Sequence, residues 1–559
     1  MASLIAKKIN GGTYWYLREV ARVEGRPKIV STRYLGKAED IAAMLDGATS
    51  VPERTQALEF GDLAAVWGVI QRLGVVESID RVVGPRRVDA KASVGTYLAL
   101  AAANRVVAPC SKLAFSDWWQ STVGPRLVKI PRSALDHRRF WDAMDQVSEQ
   151  HLIEIERELG QRMVRDFGVD LSALVLDMTN FATFIDSGNE RNTIAKRGHA
   201  KDGRVDLRLV GLALVVSKDG GIPLVHQPYP GNLPDVTQFR SVVGELTSRY
   251  QALAGQVEDV TVVYDAGNSS LANQSLLEES GLGYVSSLVT AHHLDLLAIP
   301  RSKFTAVEGF EGLEAHETQV KALGATRRAI ITHSQEFHQK QVRGFAQTVA
   351  KCNRQLADLQ AVLQRGKARR TRAQVEAAVA GILRPRWASR VITTELTGQA
   401  PKDLRLSFST DADAMQALER QHFGKRILIT SHAGWSVAQV VAAYRSQTEV
   451  EASFRQMKDP KVVSFSPMFH WTDQKVKVHV FYCVLALAIA QLMRRQAAAA
   501  GIQMSVRELL KTLGSIKETN LIYPSSGGRP KVRRMLTDFD GDAKKLFDLF
   551  GLDKLASPS

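Results

Sequence analysis

Cysteine is scarce in this sequence, with three residues among 559. Cys110, Cys352 and Cys483 lie far apart and form no CxxC pair, so neither a disulfide framework nor a zinc site is indicated, and a reducing cytoplasm is the expected setting. Long apolar runs are also missing. The longest, Val480 to Ala490, sits between His479 and Gln491 and is too short to span a bilayer, which predicts a buried core helix. Glu19, Arg22 and Glu24 interrupt residues 1–30 before a signal peptide's apolar stretch can form, so export is not expected. Acidic charge is in deficit: 58 Asp and Glu against 73 Lys and Arg give a formal charge of +15. Such a balance draws polyanions, nucleic acid first among them, by long-range attraction and counterion release.

The excess is uneven. Between Glu336 and Arg390 stand twelve Lys or Arg and three acids, Glu336, Asp358 and Glu376. The hydrophobic 45% is ordinary for a globular chain of several domains. Residues 1–60 read as a β-hairpin region: Thr13 to Val23 and Lys28 to Tyr34 alternate in character around the turn residues Glu24-Gly25-Arg26-Pro27. With Arg18, Arg22 and Arg33 among aromatics, its faces suit either a DNA contact or packing on the body of the protein, and the sequence does not choose. Residues 61–166 read as helical, with stripes such as Leu63, Val66, Trp67, Ile70 and Leu73, or Leu152, Ile155, Leu159 and Met163. After Phe167 the period changes to strands (Ala173 to Leu176, Leu207 to Ser217, Val260 to Tyr264, and later Arg426 to Thr430), which predicts an α/β domain with a mixed sheet in two parts, 167–290 and 425–500.

Residues 291–424 read as an insertion between those parts. Val342, Phe345, Val349, Cys352, Leu356, Leu359 and Leu363 recur at spacings of three and four, Arg365 to Arg372 reads as a basic turn, and Val375, Val379 and Ile382 as a returning helix. An intramolecular helical hairpin with a charged tip is preferred to a dimer coiled coil, because three heptads are few. Residues 501–559 hold a linker, Pro524 to Gly528, a basic run from Arg529 to Arg534, and a small final helix.

Three carboxylates are candidates for chemistry. Asp177 follows Leu174-Val175-Leu176 and Asp265 follows Val260 to Tyr264, so both are expected at carboxyl ends of buried strands, where active-site groups gather. Either alone reads equally well as a turn or helix cap. Glu451 should lie in a helix that Ser436 and Gln439 open with a capping box and that runs to Asp459-Pro460. Tyr444, Gln447, Arg455 and Lys458 share its face, whereas Glu449 points elsewhere. Three carboxylates suit Mg2+, with Mn2+ as a substitute, because hard ions take oxygen ligands and share positions with phosphate oxygens. Two such ions serve both oxygens of an in-line displacement.

These residues resemble the DDE transposases of bacterial insertion sequences, in the cut-and-paste group with a Tyr-x2-Arg-x3-Glu-x6-Lys signature. The matching positions are Tyr444, Gln447, Glu451 and Lys458. Similar stretches are LVLDMTNF around Asp177, GHAKDGRVDLRLVGLALV from Gly198, GIPLVHQPYPGN from Gly221 and VVYDAGNSS around Asp265, together spanning roughly residues 170–490. The resemblance implies an RNase H-like catalytic domain with a long insertion before the glutamate helix, and Asp177, Asp265 and Glu451 as catalytic metal ligands. It implies a protein dimer acting on double-stranded DNA, cutting at terminal inverted repeats and joining to target DNA, in a bacterial, nucleoid-associated setting. Gln447 departs from the signature's Arg, which puts a DNA-hairpin intermediate in question more than the first cleavage. Arg455 offers a cation from the same face. His199, Lys201, Asp202 and Arg204 would lie beside the site as structural or DNA-backbone contacts, and Arg369 and Arg370 at the basic tip. Trp387, among Arg384, Arg386 and Arg390, stacks on an extruded base or packs the insertion, and packing is preferred.

Other readings are an RNase H-like nuclease that cuts without joining, and an inactivated transposase that only binds DNA. Carboxylates working as acid and base on a sugar need neither metal nor basic insertion.

Overall fold

The computed structural model of the chain describes residues 2–23, 26–49, 51–186, 188–198, 206–233, 243–244, 248–249, 261–365, 370–524 and 530–556. Strands β1 (Ala2–Ile9), β2 (Gly12–Val23), β3 (Arg26–Gly36) and β4 (Arg54–Glu59) precede the helical stretch. Then come β5 (Ala173–Thr183), β6 (Lys196–Arg197), β7 (Arg208–Ser217), β8 (Pro223–Pro230), β9 (Thr261–Tyr264) and β10 (Gly283–Ser287). Next are β11 (Thr305–Ala306), β12 (Leu313–Ala322), β13 (Ala325–Ser334), β14 (Ile392–Thr397) and β15 (Arg405–Thr410). The last are β16 (Lys425–Thr430), β17 (Lys517–Tyr523) and β18 (Lys531–Leu536).

The chain divides into two compact units, one of residues 1–65, 117–129 and 508–559, the other of residues 66–116 and 130–507. The smaller unit holds two antiparallel three-stranded sheets, β1-β2-β3 and β18-β17-β4. Pairing of β4 with β17 brings together residues that are 458 apart in sequence, as in Glu59 opposite Lys517. The strand β1 went unread in the sequence because its alternation is short and its partner, β2, supplies the order.

The larger unit is mixed α/β around a ten-stranded sheet in the order β11-β12-β13-β16-β10-β9-β5-β7-β6, with β8 on β7. Only β5 with β9 and β9 with β10 pair in parallel; the other neighbours are antiparallel. The strands β11 to β13 fall within 291–424, so the sheet extends into the stretch read as insertion, and the excursion proper runs from the end of β13 to the start of β16. It carries the expected hairpin, helices Gln335–Gln364 and Arg372–Ile382, capped by Ser334 and Thr371. Phe345, Val349, Cys352, Leu356, Leu359 and Leu363 are all buried there with Val375 and the β14–β15 ribbon. Residues 366–369 at the tip lie outside the described set.

The apolar run Val480 to Ala490 lies in helix Asp473–Ala499, the one helix among the described residues long and apolar enough to cross a membrane; 94% of its apolar window is buried inside the protein. It packs on β8 and on helices Val94–Val107 and Glu149–Phe167, whose N-caps are Ser93 and Ser148.

Candidate active site

Where β9 runs beside β5, Ala173, Leu174 and Val175 pair with Thr261, Val262 and Val263. Two residues further along the same register, Asp177 stands level with Asp265. On the other side of β9, Ser286 pairs with Tyr264, so Ser287 is level with Asp265 as well. Adjacent strands lie about 4.8 Å apart, so continuing the register beyond its last pairs sets Asp177 on β5, Asp265 one residue past β9 and Ser287 at the end of β10 at the same level. Asp265 ends its strand as expected: its Oδ1 accepts from Gly267 N at 2.9 Å and caps the short turn Ala266–Asn268. The loop behind it is tied down by Ser269, whose Oγ donates to Ser287 O at 3.0 Å. Asp177, in contrast, is not at a strand end. It is the fifth residue of an eleven-residue strand, because β7 continues to pair with β5 as far as Thr183 after β9 has stopped.

The helix opened by Ser436 and Gln439 has both capping-box hydrogen bonds, but it does not run unbroken to Asp459. It divides at Ser446 into Val437–Arg445 and Gln447–Met457. There Ser446 Oγ donates to Ala443 O at 2.5 Å, a side-chain bond that competes with the backbone ladder. The first helix packs on β9 and β10, the second on β5 and β7.

Tyr444 Oη donates to Ser287 Oγ at 3.0 Å and accepts from Arg426 Nη1 at 3.1 Å. Lys458 Nζ donates to Thr179 Oγ1 at 3.0 Å and lies 5.6 Å from the centre of the Phe181 ring. Thr179 and Phe181 share the face of β5 that bears Asp177, since strand side chains alternate. The pair of helices is thus pinned at Tyr444 onto β10 and β16 and at Lys458 onto β5, the strand of Asp177, and Glu451 and Arg455 fall between the pins in sequence. Glu451, Arg455 and Lys458 are exposed; Tyr444 and Gln447 are buried. Glu449 is occupied by Arg494 at 2.8 Å.

Among the described residues no three His, Cys, Asp or Glu side chains are gathered closely enough to hold a metal ion. Carboxylate oxygens are the donors that magnesium takes, but Asp177, Asp265 and Glu451 are not gathered into one set.

His199, Lys201, Asp202, Arg204 and Arg369 lie outside the described residues, and Arg370 is exposed next to the cap of the returning helix. Trp387 is half-buried in the insertion, 5.4 Å from Phe423, 5.7 Å from His422 and 6.2 Å from Phe345, with the Arg386 guanidinium 4.1 Å from its ring centre. That is the packing arrangement.

Several neighbours escaped the sequence reading. Arg426 looked like an ordinary strand residue and meets Tyr444 only through tertiary structure. In the extended segment after the glutamate helix, Met468 and His470 point inward while Phe469 and Trp471 are 53% and 59% exposed. Phe184, just beyond β5, lies 5.6 Å from Phe469; the alternation in Met468-Phe469-His470-Trp471 was the readable signal.

A buried chain of hydrogen bonds supports this region. Lys112 Nζ donates to Tyr482 Oη at 2.7 Å. His479 Nε2 faces Phe465 O at 2.8 Å and must donate to it, which leaves Nδ1 to accept from Tyr482 O–H at 2.5 Å. Phe465 in turn stacks on Phe181 at 4.2 Å, and its N–H bonds to Met457 O at the end of the glutamate helix. Burial, with repulsion from Arg105, pushes the Lys112 amine down to about 7. Burial also holds His470 and His479 well below the ordinary histidine value and pushes the Cys483 thiol up to about 12.

No protein-family model and no curated protein matches the chain. Solved structures with some likeness include a piggyBac transposase synaptic complex with hairpin DNA, at TM-score 0.37 and 9% identity over 81% of this chain and 79% of that one. Another is a Mos1 transposase paired-end complex with left transposon end, at TM-score 0.16 and 10% identity over 38% of this chain and 63% of that one.

Proposed function

We propose that the chain is a DDE-type transposase with an RNase H-like catalytic domain, which cleaves DNA at the ends of an insertion sequence and transfers them into target DNA as a homodimer. The observation that carries the reading is the register match of Asp177 and Asp265 on adjacent parallel strands, beneath helices pinned at Tyr444 and Lys458. Asp177, Asp265 and Glu451 would hold Mg2+, or Mn2+ in its place. The metal supplies activation of the attacking water or 3′-hydroxyl and stabilisation of the departing 3′-oxygen.

The other residues bind and orient. Lys458 and Arg455 present cations to the scissile phosphate, and the Lys458 bond to Thr179 keeps its amine over β5. Arg426 places a guanidinium against Tyr444, one helix before the buried Gln447. Buried Gln447 itself contributes no charge, and the pathway after first cleavage is open to either a hairpin or a direct route.

One observation favours a second reading, a DNA-binding protein without turnover: the three carboxylates are not gathered into one group. The two readings part in a single experiment. Magnesium-dependent cleavage and strand transfer on DNA carrying the element's ends is measured for wild type and Glu451→Gln. Loss of cut and joined products in the variant, with DNA binding kept, supports the transposase. Cutting without joining in wild type indicates a nuclease, equal activity in both proteins moves the site elsewhere, and inactivity of both leaves binding alone.

A further inference from the structure

The sheet β1-β2-β3 has two unlike faces. Directly opposed residues in an antiparallel pair share a face, and the register sets Lys7 against Tyr14, Ile5 against Tyr16, Tyr16 against Tyr34, and Arg18 against both Ser3 and Thr32. Arg22, opposite Pro27, continues the row. One face thus carries Lys7, Tyr14, Tyr16, Arg18, Arg22 and Tyr34 and no Asp or Glu from its own strands; the one acid beside it among the described residues is Asp40 of the following helix, which, after desolvation and Tyr14, raises the pKa of the Tyr34 hydroxyl. Its groups touch: Lys7 Nζ is 5.0 Å from the centre of the Tyr16 ring, Tyr16 and Tyr34 are 5.2 Å apart, and Tyr14 and Tyr34 are 6.2 Å apart. The one acid in the three strands, Glu19, lies on the opposite face, where it accepts from Ser31 Oγ at 3.0 Å.

Over the whole sheet, Lys7, Lys8, Arg18, Arg22, Arg26, Lys28 and Arg33 face that single Glu19. Among the described residues, Lys7, Arg18 and Arg22 form no ion pair, and Arg18 Nε is shielded from solvent without a hydrogen-bond partner. Tyr34 is 55% exposed. Unneutralised cations interleaved with tyrosines on a polar-edged sheet make a surface for a polyanion, not a core.

We propose that this tyrosine and cation face is a duplex-DNA binding surface that holds the phosphate backbone. Against a second copy of the chain, the charge argues directly: an isologous contact would set one basic sheet on another. Arg18 and Arg22 are four residues apart, about 13 Å along the strand, a span over which a DNA duplex advances by about four base pairs along its axis. Contacts of this kind position DNA and carry little sequence information. The inference rests on the proposed function only in taking DNA as the polyanion, and it needs no catalytic turnover.

The test is equilibrium binding of the full chain to a duplex of arbitrary sequence and about 40 base pairs across a salt series. Each lost phosphate contact lowers the slope of log affinity on log salt by about 0.9. Substituting Lys7→Ala, Arg18→Ala and Arg22→Ala together is expected to lower it by two to three units, about 2.7 if all three contacts are made. A triple variant of the other face, Lys8→Ala, Lys28→Ala and Arg33→Ala, removes the same charge and is expected to change the slope by less than about one. Equal slopes in wild type and the first variant, or equal losses in the two variants, overturn the proposal. So does a first variant that binds DNA as wild type but sediments differently, which would mark a protein interface. Cleavage lost with the slope difference kept fails the catalytic reading alone, and cleavage kept with the slope difference absent fails this one alone.

Discussion

Lys112 offers a prediction with a worked magnitude. Its amine is enclosed by Tyr482, His470, Arg105, Cys110 and Cys483, and titrates at about 7 in the folded protein instead of near 10.5. Between those two values the unfolded chain binds one more proton than the folded one, so stability rises with pH across that window. Below about 7 both states are protonated and the full cost of burying the charge is present. Near pH 7 the folded amine is half-protonated, and the slope approaches about 1.4 kcal/mol per pH unit only above it. The expected gain from pH 7 to pH 9 is therefore about 2 kcal/mol. Lys112→Met removes the titration and keeps most of the volume.

Urea unfolding of both proteins at pH 7, 8 and 9 reads the difference. Wild type should gain about 2 kcal/mol on the variant across the series, and the lost hydrogen bond to Tyr482 is a constant offset that cancels. The two histidines beside Lys112 stay neutral throughout, and Cys483 titrates above the window. Parallel pH profiles for the two proteins would refute the reasoning, since they would mean that Lys112 has the same pKa folded and unfolded.

Two further outcomes are expected. Tyr444→Phe removes the hydroxyl that links Ser287 to Arg426 and should cost about 1 kcal/mol; a double-mutant cycle with Ser287→Ala should show a coupling of similar size, and additive losses would exclude it. Leu356→Ala empties a fully buried site in the insertion hairpin, costing about 2–5 kcal/mol. Protease cleavage of the chain should then concentrate in residues 335–424, and protection equal to wild type would contradict that core.

Local patterns were legible where local physics decides. The heptad from Val342 to Leu363 marks a helix whose seam is buried, and Ser436 with Gln439 makes the capping box that its spacing predicts. What was missed depends on partners distant in sequence. Strand β5 was read as four residues because only Ala173 to Leu176 are uniformly apolar; pairing with β7 extends it and leaves Asp177 in mid-strand. The break at Ser446 coincides with a side-chain hydrogen bond to Ala443 O, and helical periodicity passes through it unseen. A lysine in Ser111-Lys112-Leu113 looks like surface until tertiary packing encloses it. For the candidate site, the sequence named carboxylates and cations at plausible spacings, while the register that aligns Asp177 with Asp265, and the contact of Arg426 with Tyr444, exist only in three dimensions.

The strands that bracket the insertion, β13 and β16, are antiparallel neighbours, with His333 opposite Lys425, and Ser334 N bonds to Gly424 O at 2.9 Å. To the sheet, everything between them occupies the place of a hairpin turn. Lengthening a flexible loop costs little, about 0.6 kcal/mol for each doubling. Residues 335–424 therefore leave and re-enter the sheet at one place, and the strands beneath the aspartates need nothing from them to keep their alignment.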